Sequence, residues 1–89
     1  MRFEWDSEKA AENLRKHRIS FDDAATAFFD PLSMTVPDPD HSVGERRFIS
    51  IGTTSAGSLV VVAHTEAGSA IRIISARPAS ASERKRYET

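Results

Sequence analysis

The stretch RRFISIGTTSAGSLVVVAHTEAGSAIRIISARP, residues 46–78, carries the strongest structural signal in this sequence. It contains three runs rich in β-branched residues, RRFISIG, LVVVAHT and AIRIISAR, which are typical of strands. The segments SAG and EAG lie between the runs and suit hairpin turns. The stretch therefore predicts a three-stranded antiparallel meander, which ends at Pro78 because proline cannot continue a hydrogen-bonded ladder.

A strand and a first helix are predicted at the N-terminus. The run RFEW, residues 2–5, alternates polar and apolar side chains as a short strand does. Asp6 or Ser7 can cap the helix that follows, and this helix is expected to end near His17. Its apolar face is thin and is predicted to consist of Ala10, Ala11 and Leu14.

A second helix is predicted to begin after Ser20, which can cap it. Its end is predicted at DP, residues 30–31, because a residue before proline is driven out of helical geometry. A loop with several prolines spans 31–45, and a short edge strand is expected at 33–36 within it. The buried stripe of the helix is predicted to be Phe21, Ala24, Ala25, Phe28 and Phe29.

The final segment predicts a short helix, because Ser80 and Glu83 have the spacing of a capping box. Strands clustered after helices favour an α+β fold in a single domain, residues 1–89. In this fold the two N-terminal helices cover one face of an antiparallel sheet, the short C-terminal helix follows the last strand, and the second face can remain open to solvent.

The composition is that of an ordinary soluble domain. Hydrophobic residues make up 39% of the 89 positions and charged residues 28%. No apolar run approaches the roughly 20 residues that cross a membrane, and the N-terminus lacks the apolar core of a signal peptide. The chain has no cysteine, which excludes disulfides and thiolate metal sites. We therefore expect a cytoplasmic protein without a membrane partner.

The charge is distributed unequally between the two halves. Residues 1–45 hold 5 Lys/Arg and 10 Asp/Glu, a balance of −5, whereas residues 46–89 hold 7 Lys/Arg and 3 Asp/Glu, a balance of +4. The basic half suggests a polyanionic partner. The alternative is that the two halves neutralise each other within the fold, and charge alone does not separate these interpretations.

Several segments, in this order, resemble one family. They are FEWD at 3–6, NLRKHRISFDDA at 13–24, DP at 30–31, ERR at 45–47 with Gly52, LVVVAHT at 59–65 and RIISARPASASERKRY at 72–87. Together they are similar to the BrnT toxins of bacterial type II toxin–antitoxin systems. Two positions depart from the family pattern: Arg18 stands where the family usually has glycine, and the position of His64 often holds another aromatic residue.

The resemblance implies a fold similar to the RelE-like ribonucleases and an RNA-cleaving activity that arrests translation. It also implies a partner, a ribbon-helix-helix antitoxin of the BrnA type, which would form a heterotetramer and bind operator DNA on behalf of the complex. The alternative function is a non-catalytic module that only docks a DNA-binding partner in an autorepressing complex.

Metal-free RNA cleavage uses the ribose 2′-hydroxyl as nucleophile and requires positive charge at the phosphate. Arg72 and Arg77 are the catalytic candidates, because arginine binds phosphate in a bidentate manner. Strict alternation along one strand would place them on opposite faces, so a bulge or the strand end must intervene if both serve one site. The alternative role for either is a salt bridge to an acidic residue of the first half.

Further candidates are less specific. His64 suits acid–base catalysis but equally suits a structural role in the sheet, and Glu45 could be a general base or a solvated surface residue. Tyr87 could stack on a base or hold the last helix against the sheet. The remaining predicted RNA contacts are Arg46, Arg47, Arg84, Lys85 and Arg86.

A metal site is not expected, and neither is a cofactor. His41 lies in the sequence PDPDH with Asp38 and Asp40, but three ligands within one loop are weak evidence for a metal.

Overall fold

The computed structural model describes residues 1–38 and 46–89, and it contains each element that the sequence predicts. In chain order the described residues form β1 (Arg2–Glu4), α1 (Ser7–His17), α2 (Phe21–Thr26), a 3₁₀ turn (Ala27–Phe29), β2 (Met34–Pro37), β3 (Arg47–Thr53), β4 (Leu59–Ala67), β5 (Ala70–Pro78) and α3 (Ala81–Glu88). No helix in this described part is long and apolar enough to span a membrane.

The strands form one sheet in the order β1-β5-β4-β3-β2. Strands β2 to β5 pair antiparallel, so the predicted meander is confirmed, and the expected edge strand forms one residue later than predicted. Strand β1 pairs with β5 in the parallel direction, which makes the sheet mixed. An expectation of antiparallel pairing alone was therefore wrong for β1. Its neighbour in the sheet is the last strand of the chain, and such distant pairing leaves no local sequence signal.

The core lies between the helices and one side of the sheet, which we call the inner face. Its buried members come from α2 and its flanks (Ile19, Phe21, Ala24, Ala25 and Ala27) and from β4 and β5 (Val60, Val62, Ile73 and Ala76). The rings of Trp5 and Phe21 meet edge to face, with centroids 5.8 Å apart, and close the core beside α1. Burial of these side chains is the main term that stabilises the fold.

Gly52 allows the 3₁₀ turn to approach the inner face closely. A Cβ atom at this position would lie 2.7 Å from the carbonyl oxygen of Ala27. Because that contact is with backbone, it cannot be relieved by a side-chain rotation. Any larger residue would push the turn away from β3.

Helix α1 is oriented by a polar side chain, Asn13, rather than by the apolar face that the sequence predicts. Asn13 is 6% exposed, whereas Leu14 is 48% exposed and Ala11 is also exposed, so the predicted apolar face was wrong for these two residues. The Asn13 amide donates to the carbonyl oxygens of Ile19 and Ala76, each at 2.9 Å. Its carbonyl oxygen accepts from the Ala76 N–H at 3.0 Å. These bonds turn Asn13 towards β5 and Leu14 towards solvent.

The helix ends follow local chemistry closely. Asp6, Ser20 and Ser80 each accept a hydrogen bond from a backbone N–H in the first turn of their helix. Ser20 and Ser80 are the predicted caps, and Asp6 is the one of the two candidates, Asp6 and Ser7, that caps α1. Arg18 ends α1 in the left-handed conformation, with φ of 61° and ψ of 27°, which costs a non-glycine residue some strain. Helix α2 ends earlier than predicted and tightens into the 3₁₀ turn. Phe29 is consequently 64% exposed rather than part of the buried stripe.

The first prediction concerns Asn13 and its exposed neighbour. Asn13→Ala should lower the free energy of unfolding by about 3 kcal/mol, because it leaves buried backbone groups of Ile19 and Ala76 without partners. Leu14→Ala should change it by less than about 0.5 kcal/mol, since that side chain lies largely in solvent. Urea denaturation of both variants measures the difference. A larger loss at Leu14 than at Asn13 would contradict this account of how α1 is held.

Candidate functional site

A β-bulge in the last strand determines where the arginines of β5 project. Ala63 of β4 lies opposite Ser75, whereas the next residue, His64, lies opposite Ile73. The register therefore shifts by one residue, and Ile74 has no partner on β4. Such a bulge reverses the expected alternation for every residue on its far side.

Because of this bulge, Arg72 and Arg77 project from the same face of the sheet. Arg77 lies opposite Val61 and Arg72 lies opposite Thr65, and directly opposite residues of paired strands share a face. Arg47 of β3 also lies opposite Thr65 and so joins them. This surface faces away from α1 and α2, and we call it the outer face.

Small side chains separate the two arginines of β5 on the outer face. Between the Val61 and Thr65 positions lies the row formed by Ile49, Ala63 and Ser75. Rows on one face repeat every two residues, about 7 Å apart. Arg72 and Arg77 are each one row from this floor, and arginine side chains are long enough to converge above it. The two arginines therefore flank the same floor of the outer face.

Arg77 forms a bidentate ion pair with Glu83 of α3. Its Nη1 and Nη2 atoms donate to the two carboxylate oxygens at 2.7 and 2.8 Å. Glu83 also accepts the Ser80 N–H at 2.8 Å, so the same carboxylate caps α3. The Arg77 guanidinium, together with the Ser80 hydrogen bonds, lowers the pKa of Glu83 to about 2, and Glu83 in turn raises the pKa of Arg77. The pair therefore stays ionised at neutral pH.

Arg72 is held more loosely than Arg77. Its Nε atom lies 3.4 Å from a carboxylate oxygen of Glu4, and both side chains are well exposed. An exposed pair of this kind contributes little to stability. Within residues 1–38 and 46–89, no hydrogen bond engages the two terminal nitrogens of Arg72. They are available to a ligand.

Helix α3 lies beside the outer face and carries further cations. Arg84, Lys85 and Arg86 are exposed, and no residue of α3 is buried. Glu83 and Arg86 line one side of a shallow groove whose floor is apolar. The floor consists of Met34, Val36, Ile49, Ile51 and Val61.

Tyr87 anchors the end of α3. Its hydroxyl donates to the carboxylate of Asp30 and lies 3.2 Å from the Thr53 hydroxyl. The Tyr87 hydrogen bond is the main cause of the lowered pKa of Asp30, and the same bond raises the pKa of Tyr87. Asp30 also accepts the backbone N–H groups of Thr53 and Leu32, at 2.8 and 2.9 Å. The hydroxyl of Tyr87 is thus engaged in the free protein, and its predicted contact with RNA stays a prediction.

His64 lies on the inner face, away from the arginines of the outer face. It is 5% exposed and packs against the rings of Phe28 and Phe48, with centroids 4.9 and 5.9 Å away. Its Nε2 atom lies 2.8 Å from the Ser50 hydroxyl. Burial lowers the pKa of His64 to about 4. The structure does not bring this residue together with Arg72 and Arg77, and a neutral, structural histidine is what its surroundings favour.

The other predicted residues divide between the two faces and the part outside the described ranges. The Arg46 guanidinium lies 5.3 Å from the centre of the Phe48 ring, whereas Arg47 projects from the outer face. The predicted base Glu45 and the possible metal ligands Asp40 and His41 lie outside the described residues. Within residues 1–38 and 46–89, no cluster of three His, Asp or Glu side chains could hold a metal ion.

Sequence reasoning missed four residues that contribute to this site. Glu83 was recognised only as a helix cap, although its spacing of six residues from Arg77 leaves room for a turn that brings the two together. Ala63 and Ser75 gave no signal because small residues in strands are ordinary. Thr65 was concealed within LVVVAHT, where its position on a polar row depends on pairing with two other strands.

Comparisons with known proteins identify relatives of this chain. The family model described as "Ribonuclease toxin, BrnT, of type II toxin-antitoxin system" matches residues 5–83. The crystal structure of the ribonuclease toxin BrnT from Brucella abortus is similar, with a TM-score of 0.70 and 26% sequence identity. The match covers 90% of this chain and 97% of that one. The search of curated proteins found no match.

The second prediction concerns pH and His64. Its pKa of about 4 in the folded protein lies below the ordinary value of 6.5, so the folded state binds fewer protons than the unfolded state between these values. The contribution of neutral His64 to the free energy of unfolding is fully present above pH 6.5. It should fall as pH decreases towards 4, by up to about 1.4 kcal/mol per pH unit. Urea denaturation at pH 7, 6 and 5 measures the slope. His64→Gln should flatten it, and an unchanged slope in that variant would contradict the assignment.

Proposed function

Because this chain belongs to the BrnT family of ribonuclease toxins from type II toxin–antitoxin systems, we propose that it cleaves RNA on the outer face of its sheet, with Arg72 and Arg77 at the scissile phosphate. The observation that carries this assignment is the bulge at Ile74, which brings both arginines to one face with a floor of small side chains between them. We propose that the protein acts on RNA in the cytoplasm.

The proposed reaction is an attack of the ribose 2′-hydroxyl oxygen on the adjacent phosphorus. A bond forms between the 2′-oxygen and phosphorus, and the bond to the 5′-oxygen breaks, which leaves a 2′,3′-cyclic phosphate. The negative charge grows on the phosphate oxygens in the transition state, where two guanidinium groups stabilise it. The proton passes from the 2′-hydroxyl to a base and from an acid to the 5′-oxygen. The roles of base and acid predicted for Glu45 and His64 stay predictions.

The ion pair between Arg77 and Glu83 gives a second line of support. A carboxylate and a phosphate both offer two oxygens to the planar fork of an arginine. Glu83 therefore occupies, in the free protein, the two N–H groups that a phosphate would use. Binding of RNA would exchange one anion for another at Arg77, so the guanidinium is already oriented before the substrate arrives.

The surrounding cations would hold the RNA strand on either side of this phosphate. Arg47 lies on the outer face, and Arg84, Lys85 and Arg86 are exposed on α3. Contacts of this kind with the backbone carry no base specificity but give affinity that depends on salt concentration. Arg46, held at the Phe48 ring, would contribute at the edge of the surface.

The third prediction tests the two arginines. Arg77→Ala and Arg72→Ala should each reduce RNA cleavage by about 100-fold or more and abolish growth arrest, because each removes a stabiliser of the phosphorane. Cleavage of single-stranded RNA by purified, folded variants gives the rate. Arg15→Ala, which removes an exposed cation from α1, should retain the activity.

A further control distinguishes two effects of Arg77→Ala: the loss of the guanidinium and the loosening of α3 when its ion pair with Glu83 is broken. Glu83→Ala breaks the same ion pair as Arg77→Ala but keeps the guanidinium. It should bind RNA at least as tightly as the parent protein. A loss of cleavage in Glu83→Ala equal to that in Arg77→Ala would mean that α3, and not the guanidinium, is what the reaction needs.

The fourth prediction concerns metal dependence. The proposed chemistry uses arginines, the ribose hydroxyl and a general base and acid, without a metal ion, so cleavage should continue in EDTA at an unchanged rate. The products should carry a 2′,3′-cyclic phosphate or the 3′-phosphate that its hydrolysis leaves, which mass spectrometry distinguishes. Activity that is lost in EDTA and restored by magnesium would favour a different mechanism.

The fifth prediction concerns the antitoxin. A toxin of a type II system has an antitoxin partner, and we propose a BrnA-like ribbon-helix-helix protein, whose dimer holds two toxins and binds operator DNA. The cationic outer face and the apolar groove beside α3 suit a partner with acidic and apolar residues. Co-expression with the adjacent open reading frame should relieve toxicity and yield a complex that melts at a higher temperature than the toxin alone. Toxicity that persists, with no complex on purification, would contradict this proposal.

A further inference from the structure

A polar row crosses the outer face one step beyond the proposed position of the scissile phosphate. Thr65 of β4 lies directly opposite Arg47 on β3 and directly opposite Arg72 on β5. The three side chains therefore project from the same face, with Thr65 between the two arginines in the row. The neighbouring row, Ile49, Ala63 and Ser75, is the floor assigned above to the scissile phosphate.

The hydroxyl of Thr65 is buried without a partner. The residue is 1% exposed, and its Oγ1 atom has no hydrogen bond among the described residues. A buried hydroxyl without a partner lowers stability, and valine would fill the same space without that cost. Such a group in a folded protein requires an explanation, and a bound ligand is one of the few that the chemistry offers.

The charges around this hydroxyl favour an anion. Arg72 pairs with Glu4 through Nε alone, at 3.4 Å, and its terminal nitrogens have no hydrogen bond within the described residues. Arg47 forms no ion pair with any residue in the described ranges. Glu4 is the acidic residue nearest to Arg72 in the register, and it lies beyond Arg72 on β1, on the side away from Thr65. Two guanidinium groups and one hydroxyl donor suit a phosphate oxygen.

We propose that Thr65, Arg47 and Arg72 form a second phosphate subsite, which binds the phosphate next to the scissile one. This inference rests on the proposed function, because it takes the adjacent row as the site of cleavage. Rows on one face are about 7 Å apart, which is close to the spacing of successive phosphates along an extended single strand. Arg72 lies at the boundary and can contact both phosphates. The subsite thus fixes which bond of the bound strand lies over Ala63.

Two variants at Thr65 separate the hydroxyl from the shape of the side chain. Thr65→Val removes the hydroxyl and keeps the branched shape, and it should bind single-stranded RNA about tenfold more weakly. Thr65→Ser keeps the hydroxyl and should bind nearly as tightly as the parent protein. The melting temperature of Thr65→Val should be equal or higher, because no hydrogen bond in the described part of the chain is lost. Equal RNA affinity in Thr65→Val and the parent protein would overturn the proposal.

A change in the RNA tests the same subsite without any mutation. Each RNA in a set of single-stranded oligonucleotides carries one uncharged methylphosphonate in place of a phosphate, at a different position in each oligonucleotide. In the parent protein, the substitution should weaken binding at the scissile phosphate and at one immediate neighbour. Thr65→Val should lose the sensitivity at the neighbour and keep it at the scissile position. Sensitivity at the scissile phosphate alone would overturn the subsite, including in the case where Thr65→Val fails to fold.

These experiments distinguish rejection of the second phosphate subsite from failure of the proposed function. If Arg77→Ala and Arg72→Ala still cleave RNA, the proposed function fails, whereas the binding scan still reports on Thr65 because it does not depend on cleavage. If both arginine variants are inactive and Thr65→Val binds as the parent protein does, the cleavage site stands and the second subsite is rejected.

Discussion

The pairing of the Asn13 carboxamide with the backbone of Ala76 is the contact on which the rest of this structure depends. Strand β1 covers only the first residues of β5, from Ala70 to Arg72, and leaves the remaining edge of β5 without a strand partner. Asn13 offers one donor and one acceptor to Ala76, as a neighbouring strand would. Its third bond, to the carbonyl of Ile19, ties the start of α2 to the same point. One buried amide thus joins both helices to the strand that carries the arginines.

This contact also stabilises the bulge. Ala76 lies two residues after Ile74, and its fixed backbone holds the register of β5 on one side, whereas pairing with β1 holds it on the other. A slip of one residue would move every side chain of a strand segment to the opposite face. The common orientation of Arg72 and Arg77 therefore requires one anchor on each side of the unpaired Ile74: the Asn13 contact on one side and the pairing with β1 on the other.

The sequence predicts those parts of the fold that local chemistry controls. The caps at Ser20 and Ser80 and the three runs of the meander were identified correctly, and the cap of α1 was narrowed to Asp6 or Ser7, because each signal lies within a few residues of its effect. The parallel pairing of β1 and the burial of Asn13 were not predicted, because each depends on residues far apart in the chain. A bulge was one of two alternatives by which Arg72 and Arg77 could share a face, and the sequence did not decide between them. The bulge lies at Ile74, where no glycine or proline marks it in the sequence. The cations of the site were thus visible, but their common face was not.

Helix α3 differs from α1 and α2 because it buries no residue against the sheet and is attached by polar contacts. It has eight residues, buries none of them, and is attached through Glu83 near one end and Tyr87 near the other. An isolated helix this short is not stable in water, so its structure depends on these polar contacts. Its backbone amides should therefore exchange with solvent through a local opening that costs only part of the global free energy of unfolding. The protein then exists as an ensemble in which a small population presents Arg77 without its carboxylate, while the sheet beneath remains intact.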